Sequence, residues 1–248
     1  AEKMRLVLGL VLALLVAADA APMLSTPVMR MRGGGKAFPK MPDSVKPGVV
    51  TGSALKDLLQ CAKDGGYAIP AVNCVTSSSI NQVLEAAKKY NSPVMIQFSN
   101  GGSQFYAGKT IESSKDNGLK GCVLGAISGA LHVKQMAEHY GVPVILHSDH
   151  CAKKLLPWFD GMLEADEKHF KEHGTPLFSS HMLDLSEEPH DENIATCAEY
   201  LKRMAKINCL LEMEIGITGG EEDGVNNEDV KPEDLYSKPE EGMQVVEA

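Results

Sequence analysis

The sequence contains no Cys-x-x-Cys pair. Its six cysteines, Cys61, Cys74, Cys122, Cys151, Cys197 and Cys209, are scattered along the chain. That excludes a zinc ribbon, offers no disulfide framework and suits a reducing compartment. Basic charge is in deficit: 24 Lys and Arg stand against 33 Asp and Glu, a net charge of -9. Such an acidic balance argues against a general nucleic-acid binder. An apolar run of membrane-spanning length is also missing. The stretch from Leu6 to Ala18 follows a basic start (Lys3, Arg5) and precedes the small-x-small pattern Ala18-Asp19-Ala20. That pattern reads as a signal peptide, with an uncleaved anchor as the alternative. The next segment, Ala21 to Pro42, lacks any acidic residue but carries Arg30, Arg32, Lys36 and Lys40, as organellar transit peptides do. The chain opens on Ala1, and Met4 is a candidate initiator. Residues 1–42 are therefore expected to be a leader to a plastid, with plain secretion as the alternative, and residues 43–248 the folded domain.

What is present centres on Val142-Pro143-Val144-Ile145-Leu146-His147-Ser148-Asp149-His150-Cys151. A short run rich in Val and Ile reads as a buried strand. It exits into His-Ser-Asp-His, where parallel α/β folds place their chemistry. His147 and Asp149 fall on one face of an extended strand, and His150 begins the loop beyond. A carboxylate beside imidazoles offers a proton carrier next to a candidate metal ligand. The blander alternative is a set of polar residues capping the next helix.

The rest of the body alternates helix and strand. Helical stripes are Leu55, Leu58, Leu59 and Ala62 behind a Ser53 cap, then Ile80, Val83, Leu84 and Ala87, then Gly121 to Tyr140, Trp158 to His173, and Ile194, Cys197, Ala198 and Leu201. Between them lie expected strands at Tyr67–Val72, Pro93–Phe98, the His-Ser-Asp-His strand, Pro176–Ser180 and Cys209–Ile215. Ser99 to Ser103 reads as a Gly-rich loop able to wrap a phosphate, or as an ordinary turn. Gly108 to Gly118 reads as a surface loop, and Gly216 to Ala248 as a Gly-rich acidic tail. Polar residues recur at the strand ends: Asn73, Ser99, Asp149, Asp184 and Glu214. Five strands alternating with helices predict a parallel α/β fold whose strand ends share one mouth.

The motifs Lys46-Pro47-Gly48-Val49, Pro70-Ala71-Val72-Asn73-Cys74 and Gln97-Phe98-Ser99-Asn100-Gly101-Gly102 resemble those of the class II, metal-dependent fructose-bisphosphate aldolases. So do Leu124-Gly125-Ala126-Ile127-Ser128-Gly129, His147 to Lys154, Ser179-Ser180-His181-Met182 and Gly219-Gly220-Glu221-Glu222-Asp223-Gly224. The resemblance implies a (β/α)8 TIM barrel, here only about the first five β/α units. It implies zinc-dependent, reversible cleavage of fructose 1,6-bisphosphate to dihydroxyacetone phosphate and glyceraldehyde 3-phosphate, with no Schiff-base lysine. By resemblance, Asp149 is the acid/base at the C4 hydroxyl and Glu222 the mobile-loop carboxylate. His150 is a zinc ligand, Asp184 and Glu214 lie near an alternative metal position, and Asn73 and Ser99 contact substrate. A second divalent metal and a monovalent cation are further expectations, as are a homodimer, no nucleic acid, and no membrane once the leader is removed.

The family's two later histidine ligands, in His-Gly-Val-like and His-Gly-Gly-Ser-Gly-like motifs, have no counterpart in these residues. The chain is therefore expected to be an amino-terminal portion, inactive alone. Two alternatives stay open: a non-catalytic half-barrel acting as a binding partner, and a tagatose 1,6-bisphosphate aldolase.

Overall fold

The computed structural model describes residues 40–222, 225–231 and 235–248, without the side chains of residues 221–225. The expected leader lies outside the described residues up to residue 39. Among the described residues no helix is long and apolar enough to cross a membrane.

Strands β1 (Gly48–Val49), β2 (Ala71–Asn73), β3 (Val94–Phe98), β4 (Pro143–Cys151), β5 (Ser180–Leu183) and β6 (Leu210–Met213) form one sheet. Its order is β2-β3-β4-β5-β6, with every pair parallel. Parallel neighbours need a crossover, and helices supply it. These are α1 (Gly52–Gly65), α2 (Ser77–Tyr90), α3 (Asn100–Ala107), α4 (Lys120–Tyr140), α5 (Leu156–His173) and α6 (His190–Lys206). A hairpin, β7 (Glu221–Glu222) with β8 (Val225–Asn226), and helix α7 (Pro239–Glu247) follow. The five expected strands are β2 to β6. Two are shifted: β2 starts only at Ala71 and ends at Asn73, and β5 starts at Ser180 and runs on to Leu183.

Alternation along the strands sorts side chains to two faces. Val94, Ile96, Phe98, Val144 and Leu146 point outward into the main core. There they meet Ile80 and Leu84 of α2, Ala126 and Ala130 of α4, and Trp158, Phe159 and Met162 of α5. Met95, Ile145 and Leu210 face the other way, where Leu55 and Leu58 of α1 pack with Val45 and Val50. So α1 covers the inner face at the amino ends of the strands. Each such leucine, fully buried, contributes roughly 1.5–3 kcal/mol.

Strand β4 holds three partners. Val144 pairs with Val94 of β3 on one edge and Val49 of β1 on the other. Farther along that second edge, His147 pairs with Ser180 of β5. Strand β1 and β5 thus share one edge of β4 end to end.

Helix starts follow local chemistry. Thr76 and Ser79 form a reciprocal capping box at α2, satisfying amides the helix cannot. At α1 the cap is Thr51 rather than Ser53, without a side-chain bond. The Gly-rich stretch after Ser99 is the first turn of α3 rather than a loop. Ser99 Oγ accepts the Gly102 N–H at 3.1 Å, a cap strong enough to hold glycines helical. Helix α3 packs so closely on α4 that a Cβ on Gly125 would stand 1.7 Å from the Ser103 carbonyl oxygen.

Candidate active site and metal centre

Registers place the inner-face polar residues in one layer. Asn73 pairs with Gln97, Gln97 with His147, and His147 with Ser180. The Gln97 amide donates to Asn73 Oδ1 at 2.5 Å, and the Asn73 amide donates to Asp149 Oδ2 at 2.7 Å. Burial, with the neighbouring charges of His181 and His150, pushes His147 down to about 3. It is neutral at physiological pH, bonded to Ser180 Oγ at 2.8 Å. Its 3.6 Å approach to Glu212 is therefore a contact between a neutral ring and a carboxyl. Burial and the Asp149 charge raise the Glu212 carboxyl above its usual range.

Beyond His147 the strand breaks its alternation. Ser148 pairs with His181 and Cys151 with Leu183, so three steps on β4 match two on β5. The extra residue is a β-bulge, and within it His150 takes φ +33, a left-handed conformation costing about 1–2 kcal/mol. Strict alternation would send His150 toward the helices with Ser148. The bulge turns it to the mouth beside Asp149 instead, 3.9 Å away. The expected loop residue is therefore still in the strand, re-aimed.

At the mouth, His150 Nδ1 lies 3.1 Å from Asp184 Oδ2 and 3.6 Å from Glu214 Oε2. One ligand atom from each of the three falls within 4.8 Å of the others. Burial alone would raise Asp184. Hydrogen bonds from His150 and Ser186, with the His150 charge, outweigh it and hold the carboxyl below its usual value. One imidazole and two carboxylates, at least one acidified, are a donor set that fits a divalent cation. Filling it requires Nδ1 of His150 to give up its proton to become a donor.

The adjoining cleft, about 670 Å³, is lined by Asn73, Ser99, Gly101, Asp149, His150, Lys153 and Asp184 among others. The structure thus brings Asn73, Ser99, Asp149, His150 and Asp184 to one cleft and sets Glu214 against His150. The backbone of Glu222 is in β7, and its side chain lies outside the described residues. The resemblance assigns Gln97 no role. Its signal was the period-two alternation that places it on the inner face with Met95.

A second cluster lies on the helix side. The Asp166 carboxylate accepts His181 Nε2–H at 2.6 Å and the Phe178 N–H at 2.8 Å. Ser148 O–H then donates to His181 Nδ1 at 2.7 Å. Serine, histidine and aspartate stand in hydrolase order, yet all three are fully buried. No substrate reaches them. They fasten β4 and β5 to α5. Cys209 completes a set of potential ligands there, but both Asp166 oxygens and both His181 nitrogens are already bonded.

Fold and mouth together define an α/β protein with a hydrogen-bonded carboxylate, Asp149, beside a donor set that fits a divalent cation, at the carboxyl ends of parallel strands. The family model described as fructose-bisphosphate aldolase class-II matches residues 53–248, and the chain belongs to that family. It is 60% identical over 201 residues to the fructose-bisphosphate aldolase class 2 of Escherichia coli strain K12, covering 81% of this chain and 55% of the relative. It is 57% identical over 203 residues to the fructose-bisphosphate aldolase of Saccharomyces cerevisiae, covering 82% and 56%. The crystal structure of the Campylobacter jejuni fructose-bisphosphate aldolase matches with a TM-score of 0.71 and 53% identity, over 83% of this chain and 55% of that one. The parallel half-sheet is thus part of an aldolase TIM-barrel fold. The chain spans about half the length of the curated relatives it matches.

Proposed function

We propose that the protein is a fructose-bisphosphate aldolase that reversibly cleaves fructose 1,6-bisphosphate to dihydroxyacetone phosphate and glyceraldehyde 3-phosphate with zinc. The observation that carries this reading is Asp149, oriented by Asn73, beside the His150–Asp184–Glu214 donor set. A bound divalent cation supplies Lewis-acid stabilisation of the charge that carbon–carbon cleavage leaves on the ketone half. Asp149 takes and returns the proton of the C4 hydroxyl. Asn73 holds that carboxylate in place, and Gln97 holds Asn73. Ser99, at the amino end of α3, sits where backbone N–H groups and the helix dipole suit a substrate phosphate. His150 would ligate the zinc, and Asp184 and Glu214 would offer carboxylates near an alternative metal position. Glu222, from the β7–β8 hairpin, moves a proton at the ketone substrate.

The deciding experiment measures zinc content and kcat together in a chain that also carries the family's two later histidine ligands, and in its Asp149→Ala and His150→Ala variants. Asp149→Ala keeps its zinc and loses roughly 10²-fold or more in kcat. His150→Ala loses zinc first. Loss of zinc from Asp149→Ala with full metal in His150→Ala reverses the two roles. A chain carrying those histidines that cleaves neither sugar bisphosphate removes the reading, and faster cleavage of tagatose 1,6-bisphosphate transfers it to that epimer. The leader pattern supports delivery to a plastid, which a fluorescent fusion of residues 1–45 tests. Homodimerisation is proposed on the family alone, and sedimentation tests it.

A further inference from the structure

Helix α5 ends in a feature that the aldolase chemistry leaves unused. His169 and His173 are one helical turn apart, on the same face. Their ring centres lie 4.4 Å apart at an interplanar angle of 46°. His169 Nδ1 lies 2.6 Å from the Thr175 carbonyl oxygen. A carbonyl only accepts, so Nδ1 carries the proton and Nε2 presents a lone pair. Such a carbonyl partner is what fixes the tautomer of metal-binding histidines. His173 is exposed, and its Nε2 is 3.9 Å from Glu172 Oε2. Both rings sit at the carboxyl end of an 18-residue helix, whose dipole favours positive charge. Phe170, packed on the core between them, keeps that turn from fraying. The Lys134 charge also acts on His169, but its ammonium is engaged by the Pro176 carbonyl at 3.1 Å.

We propose that His169 and His173 form a surface site for a divalent transition ion of the copper or nickel type. Ring separation chooses the ion class. An imidazole nitrogen about 2.1 Å from the ion puts its ring centre about 3.3 Å away. Two such rings in adjacent positions of a tetragonal or octahedral ion have centres about 4.6 Å apart, against about 5.4 Å for tetrahedral zinc. The observed 4.4 Å matches the adjacent, right-angled arrangement. Water fills the other positions. The site is on the opposite side of α5's strand layer from the mouth chemistry and does not depend on the proposed activity.

The test is pulsed electron paramagnetic resonance of the full chain with substoichiometric Cu²⁺, run also in a His150→Ala background to remove the imidazole at the mouth. The expected spectrum shows two equatorial imidazoles in both backgrounds. His173→Gln, a change at an exposed position, reduces this to one and weakens Cu²⁺ binding at least tenfold against a competing chelator. His139→Gln on α4 changes neither. A two-imidazole spectrum that survives His173→Gln, or one imidazole in the starting protein, overturns the site. Tighter binding of Zn²⁺ than of Ni²⁺ overturns the choice of ion.

Discussion

Asn73 reaches Asp149 across 76 residues of chain, its amide donating to Oδ2 at 2.7 Å. The bond crosses the sheet from β2 to β4 over β3, where Gln97 secures Asn73 in turn. A hydrogen bond to a charged carboxylate contributes roughly 1.5–3 kcal/mol. If orientation of Asp149 is what the bond provides, Asn73→Ala lowers kcat by roughly 10- to 100-fold. The metal content should be unchanged. Steady-state cleavage rates and metal analysis on the same preparation, in a chain that also carries the family's two later histidine ligands, check this.

The Ser148–His181–Asp166 cluster predicts a stability effect. Asp166→Ala leaves the His181 Nε2–H and the Phe178 N–H buried without an acceptor. Each buried donor left without an acceptor costs roughly 1–3 kcal/mol. Urea unfolding of Asp166→Ala should show a loss of that order, and Ser148→Ala a smaller one, near 1 kcal/mol.

Gly125 is required by close approach. A methyl group there collides with the Ser103 carbonyl, and neither helix backbone yields cheaply. Gly125→Ala should destabilise by at least about 1–3 kcal/mol, the usual cost of overpacking. Gly66 is the control: nothing lies within 4 Å of its Cβ position, but its φ is +65. Gly66→Ala should cost only about 1 kcal/mol. Thermal midpoints of the two variants rank them.

His147 gives a pH dependence of defined sign. Its folded value, about 3, lies below the ordinary 6.5, so between these pH values the unfolded chain binds the proton and the folded chain does not. The contribution is complete above pH 6.5 and declines as pH falls toward 3, with a slope of up to about 1.4 kcal/mol per pH unit. His147→Gln should flatten stability against pH in that window. Equal slopes in both proteins would mean that His147 is not the group responsible.

The sequence made the order of helices and strands legible, along with the strand ends that meet at the mouth. Periodicity carries both, because a buried strand and an amphipathic helix each print their period. Other features leave no such print. Strand β1 is two residues long, too short for any alternation. Helix α3 begins Asn100-Gly101-Gly102, and glycine reads as loop until the Ser99 cap is seen. Asp166 sits in Glu164-Ala165-Asp166-Glu167-Lys168, which looks like a solvated face, yet it is fully buried. Only the third dimension supplies its partners, His181 and the Phe178 amide. The bulge at His150 depends on pairing with β5, and a single strand does not reveal a two-against-three count.

Three neighbours on β4 bear on how the molecule breathes. Amide hydrogens exchange when a segment opens, and opening free energy rises with the number of pairings that must part together. Freeing β4 means detaching β1, β3 and β5 at once, joining positions as distant in sequence as Val49 and Val144. The segment that bears Asp149 and His150 should therefore be among the last in the sheet to exchange its amides. Strands β2 and β6, at the two ends of the strand order among the described residues, fray sooner, so excursions that loosen the rim of the mouth leave its central carboxylate and imidazole in register.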